Sequence, residues 1–134
     1  MLLRIPSEHH ECAKLWMKFI LEHCDFPNLT LLRDQIRDAE FLDFCECGCN
    51  SFAVRVDERA KPLASPAEHR SPIFEADFYL IDQERTIEIM LFAGKSGNLE
   101  YVEVDHCANS YPVPAIVDIK LPAFHTYTYP RLLK

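Results

Sequence analysis

The sequence predicts an α+β fold, with two N-terminal helices packed on a mainly antiparallel sheet of four to six strands. Three observations carry that expectation. Large apolar residues recur with helical spacing before about residue 40, and they alternate with period two from about residue 41 onward. Short turn-rich breaks separate the alternating runs, which suits antiparallel neighbours, since parallel ones need long crossovers.

Taken in order, Pro6-Ser7-Glu8 reads as a helix start, with Ser7 as N-cap and Glu8 complementing the positive end of the helix dipole. Cys12, Leu15, Trp16, Phe19 and Ile20 then form an amphipathic stripe, and Pro27 follows the helix end. A second helix fits from about Leu29 to Ala39, capped by Asn28, with Leu29, Leu32 and Ile36 turned inward. The pattern next becomes a hairpin. Phe41 to Phe44 runs toward a turn near Gly48-Cys49-Asn50, and Phe52, Val54 and Val56 alternate on the return. Residues 58–72 hold three prolines and almost no large apolar side chains, which predicts a mobile surface loop within a single domain, 1–134.

A three-strand meander follows. Phe74, Ala76, Phe78 and Leu80 alternate with Glu75, Asp77 and Tyr79; Thr86 to Ala93 and Asn98 to His106 flank the turn Gly94-Lys95-Ser96-Gly97. Pairing Gly94 with Gly97 sets Leu91, Ile89 and Ile87 opposite Glu100, Val102 and Val104 on a mostly apolar face. The other face then opposes Phe92 to Leu99, Met90 to Tyr101 and Glu88 to Glu103, the last a like-charge pair that destabilises a ladder. Ile116-Val117-Asp118-Ile119 is a candidate last strand, which Pro112, Pro114, Pro122 and Pro130 keep irregular or at an edge. Trp16, Phe19 and Ile20 are expected to meet Phe74, Phe78, Ile87, Ile89 and Val102 in the core.

Charge narrows the function classes. The net charge is −7, and the excess is concentrated. Residues 71–110 hold only Arg85 and Lys95 against Glu75, Asp77, Asp82, Glu84, Glu88, Glu100, Glu103 and Asp105. Such a field repels nucleic acid, whose binding needs a basic surface, and favours a basic protein partner. No apolar run approaches the roughly 20 residues that span a bilayer, so no membrane partner is expected. The opening Met-Leu-Leu-Arg-Ile-Pro lacks the basic and apolar regions of a secretory signal, which predicts a cytoplasmic protein with its six cysteines reduced.

Residues that could carry chemistry are present without forming a signature. Cys45, Cys47 and Cys49 are candidate thiolate ligands, but structural zinc sites usually space cysteines as C-x2-C or longer. No metal is expected there, and free thiols are the simpler reading. In Asp105-His106-Cys107, neighbours on a strand point to opposite faces, so adjacency does not make a catalytic pair. His9 and His10 diverge around the first helix and are not an i, i+4 metal pair. Phosphate-cradling glycine motifs are absent from the sequence, and the chain has 3 glycines in all. No enzyme, catalytic residue or cofactor is therefore predicted. The candidate site is a partner-binding face in which Glu75, Asp77, Glu88, Glu103 and Asp105 supply charge and Tyr79 and Tyr101 serve as anchors.

The run Phe44-Cys45-Glu46-Cys47-Gly48-Cys49-Asn50-Ser51-Phe52, with the later strands Ile87 to Phe92 and Leu99 to Val104, resembles small uncharacterised bacterial proteins with a Cys-x-Cys-Gly-Cys hairpin. In size and acidity the chain is similar in type to the immunity proteins of bacterial toxin systems, including contact-dependent growth inhibition. That resemblance implies a protein that binds and neutralises a cognate toxin, such as a basic nuclease. The alternatives are a cysteine-based metal-binding protein and an uncharacterised small enzyme.

Overall fold

The computed structural model describes residues 6–44, 51–82, 85–106 and 116–133. Helices α1 (Pro6–His23) and α2 (Leu29–Arg37) precede strands β1 (Glu40–Leu42), β2 (Phe52–Arg55), β3 (Ser71–Tyr79), β4 (Thr86–Ala93) and β5 (Leu99–His106). A 3-10 turn (Ile116–Asp118) and β6 (His125–Thr128) complete the chain. The strands form one six-stranded antiparallel sheet in the order β1-β2-β5-β4-β3-β6. The α+β architecture is as expected.

The helices cover one sheet face. Ala13, Trp16, Met17, Phe19 and Ile20 of α1 are buried with Phe74, Phe78, Ile87, Ile89 and Val102 in a single core. The rings of Phe19 and Phe78 meet edge to face at 5.2 Å, as do those of Phe26 and Phe74. Leu15, expected inside, is 56% exposed. Ala13 and Met17 draw the centre of the buried stripe round the helix and leave Leu15 beyond its edge. The first helix already includes Pro6, so Ser7 lies in its first turn rather than capping it.

Helix α2 is held by a buried polar clamp that the apolar pattern does not reveal. Gln35 is 2% exposed. Its Nε2 donates to Lys61 O at 2.6 Å and Asn98 Oδ1 at 2.8 Å, while its Oε1 accepts from Leu99 N at 2.8 Å. Each side-chain polar atom thus has a partner, as a group out of water requires.

Within residues 58–72, read from the sequence as a mobile surface loop, residues 63–67 pack and hydrogen-bond against the sheet end, and Ser71 already begins β3. Leu63 and Ala64 are wholly buried. Their N–H groups both donate to Gly97 O, Ala67 N donates to Lys95 O, and Ser65 N donates to Arg131 O. The Arg131 guanidinium donates to Ser65 O, Ser71 Oγ, Ala93 O and Gly94 O, tying this segment to the ends of β3 and β4. Gly97 makes the close approach feasible. Its φ is +94°, and a Cβ there would lie 2.0 Å from Ala64 O.

The β1–β2 hairpin forms as expected, with Phe41 opposite Val54; its turn and Cys45, Cys47 and Cys49 lie outside the described residues. The β4–β5 register differs from the expected one by two residues. Leu91 faces Val102, Ile89 faces Val104 and Glu88 faces Asp105 rather than Glu103. Two features account for it. The turn closes with Gly94 N donating to Asn98 O, one residue later than a tight Gly94–Gly97 turn. A bulge then sets Phe92 opposite Tyr101 and Ala93 opposite Leu99, which turns Leu99 into the core. Glu100, expected opposite Leu91 on the apolar face, is skipped by the bulge and exposed; from Tyr101 onward the two-residue shift leaves the side chains on the faces expected for them.

The last strand also differs. Residues 116–118 form the 3-10 turn, and Ile119 makes only an isolated bridge to Leu80. The edge strand is β6, in the proline-free run His125-Thr126-Tyr127-Thr128, whose β-branched and aromatic residues suit a pleated edge.

Candidate functional site

The face of β3, β4 and β5 turned away from the helices carries the predicted residues. Alternation fixes this: on β3, Ala76 and Phe78 are buried while Glu75 and Asp77 are half-buried and Tyr79 is exposed. On β4 and β5, Glu88, Met90, Tyr101, Glu103 and Asp105 fall on the same outer side. Both helices described lie on the opposite face, whose side chains form the core.

Cross-strand pairing arranges these residues in rows. The first runs His125–Asp77–Glu88–Asp105 across β6, β3, β4 and β5. The second runs Tyr127–Glu75–Met90–Glu103. Beyond it Phe92 faces Tyr101, their rings edge to face at 6.0 Å, with the Arg70 guanidinium 4.9 Å above the Tyr101 ring. At the other end Tyr79 stacks on Phe124, centroids 4.1 Å apart and planes 26° apart. Carboxylates thus fill the middle of the face and aromatics close both ends.

Like charges directly opposite one another raise the cost of ionisation. Burial pushes the Glu88 carboxyl up to about 7, and the charges of Glu75, Asp77, Asp105 and Glu103 add to the effect. Glu103 is raised by burial and by Asp105. Glu75 is raised by burial and by Asp77, against the opposing pull of His125 and Tyr129. The face therefore holds more negative charge than its own groups neutralise comfortably.

His125 is the functional candidate the sequence reading missed. Its Nδ1 lies 2.8 Å from Asp77 Oδ2 and 3.8 Å from Glu75 Oε2, and Tyr129 Oη donates to Glu75 Oε1 at 3.4 Å. Ligand atoms of Glu75, Asp77 and His125 all lie within 4.8 Å of one another, so this trio has the donors and spacing to hold a divalent cation. The only sequence signal for it is the proline-free alternating run that contains His125.

Other candidates are set apart from this face. His106 points to the core side at 2% exposure, away from Asp105, as strand alternation requires. Cys107 lies outside the described residues. His9 and His10 rest their rings near Phe44, at 5.3 and 4.9 Å. Burial pushes the Cys24 thiol up to about 12, which leaves it a poor nucleophile. No protein-family model, curated protein or solved structure matches the chain.

Proposed function

We propose that this chain is a binding module of the immunity type, which neutralises a cognate basic toxin, such as a nuclease, by covering it with the acidic sheet face. The observation that carries the reading is the row Asp77–Glu88–Asp105, three carboxylates side by side on adjacent strands, the central one held above the ordinary carboxylate range by burial first and by the neighbouring charges second. A sheet gains nothing from such a row by itself, because like charges opposite one another weaken the ladder. A cationic partner relieves the repulsion on binding and is steered to the face at long range. The aromatic ends supply the rigid apolar contact that gives an interface its energy. The reading assigns no reaction to the chain and places its action in the cytoplasm, where an incoming nuclease does its damage.

The test is capture of the partner from a lysate of the source cells, followed by titration of the purified pair. The partner is expected to be basic, to bind less tightly as salt rises, and to be lost to the double variant Glu88→Lys, Glu103→Lys. Co-expression of the chain with that partner should restore growth when the partner is toxic. Binding that is indifferent to both salt and charge reversal would sink the reading.

A further inference from the structure

We infer that the partner docks an extended segment along β3 in which a large apolar side chain is followed at the second and fourth positions by lysine or arginine. This inference rests on the protein-binding reading above and adds the chemistry and spacing of what is bound.

The outer face changes character in steps of one row. Tyr79 and Phe124, 41% and 48% exposed, form an apolar ledge. One row along β3 come Asp77, Glu88 and Asp105, and one row further Glu75 and Glu103. Rows on one face of a sheet are two residues apart, about 6.8 Å along the strand, and an extended ligand repeats its same-side residues at that interval. An apolar residue and two cations at alternate positions therefore meet the ledge and the two acidic rows one for one.

The ledge is larger than the ring stack alone. Lys120 N donates to Tyr79 O and Ile81 N donates to Asp118 O, which lays residues 118–120 along the end of β3, and the adjoining Leu121 and Ile81 are 45% and 61% exposed. Apolar side chains collected at one end of a charged strip mark an anchor point. Charge selects the occupant. A second copy of the chain would set carboxylates against carboxylates, and nucleic acid or an anionic lipid surface would be repelled in the same way. A cationic polypeptide is attracted, and the stems of lysine and arginine can lie along Met90 and Tyr127 while their heads reach the acids.

Two synthetic peptides of identical composition test the spacing. One carries leucine, lysine and lysine at alternate positions separated by serine; the other places the leucine between the two lysines. Each is titrated into the isotopically labelled protein and followed by amide chemical shifts. The first is expected to perturb Tyr79, Glu88 and Phe124 and to bind about tenfold more tightly, a difference of about 1.4 kcal/mol. The double variant Tyr79→Ala, Phe124→Ala, at two exposed positions, should bring it down to the level of the second peptide. Asp105→Asn should weaken both. Equal, salt-sensitive affinities for the two peptides would overturn the ordered segment while leaving the acidic-face reading standing. Binding of neither peptide would overturn both.

Discussion

Glu88 of β4 lies directly opposite Asp105 of β5, with Asp77 opposite it on the other side. The folded protein raises the Glu88 carboxyl from the ordinary 4.5 to about 7, so it keeps a proton that the unfolded chain releases across that interval. More protons on the folded state mean that stability falls as pH rises from about 4.5 to 7. Glu88→Gln should therefore stabilise the protein at pH 8, by about 0.5–1 kcal/mol once solvent screening of a half-exposed face is allowed for. At pH 4 it should change little. Thermal melting of both proteins at the two pH values measures this, and an equal effect at both would exclude the electrostatic cause.

Gln35 gives a prediction of the opposite sign. Gln35→Ala leaves Leu99 N without its buried acceptor and Lys61 O without its donor. The expected loss is about 1–3 kcal/mol, read as a lower urea midpoint with an unchanged slope. Gln35→Glu should also destabilise, since a carboxylate would bring its charge into the core and cannot donate to Lys61 O.

Gly97 sits at φ +94° with Ala64 O where a Cβ would go. Gly97→Ala should cost about 1–3 kcal/mol through backbone strain and displacement of residues 63–64. Hydrogen exchange at Leu63 and Ala64, whose amides both donate to Gly97 O, should accelerate with it.

Arg131 binds three backbone carbonyls and a hydroxyl with one planar fork. A lysine ammonium cannot span those acceptors together, so Arg131→Lys should lose about 2 kcal/mol although the charge is kept. Denaturant melts check it; a loss below about 0.5 kcal/mol would show that the charge alone suffices.

The face of the candidate site is legible in the sequence, whereas its pairs are not. Parity places Glu75, Asp77, Glu88, Glu103 and Asp105 together, because a two-residue register shift moves every partner without turning a side chain over. The identity of the partners depends on how the turn after Ala93 closes, and four residues ending in glycine do not specify that. Both helices are readable from apolar stripes and from Pro27, while Leu15 shows that a stripe's edge depends on what packs beside it. Gln35, Arg131 and the anchoring of residues 58–72 escape because their partners, backbone atoms and side chains alike, lie far away in sequence and leave no periodic trace. His125 escapes for the same reason, since only the pairing of β6 with β3 brings it to Asp77.

The strand order carries a consequence for when the site comes into being. β3, β4 and β5 are neighbours in sequence and in the sheet, so their pairing closes short loops. The flanking contacts, Phe52 with Val102 and Phe74 with Thr128, join residues about fifty positions apart and should be won later. On that hypothesis the repelling carboxylates are gathered before His125 arrives to offset them, and the kinetic nucleus bears the full electrostatic load. Substitutions in β6 such as Thr126→Ala should then speed unfolding without slowing folding, whereas Glu88→Gln should speed folding itself. Stopped-flow rates for the two variants separate this order of assembly from the reverse one.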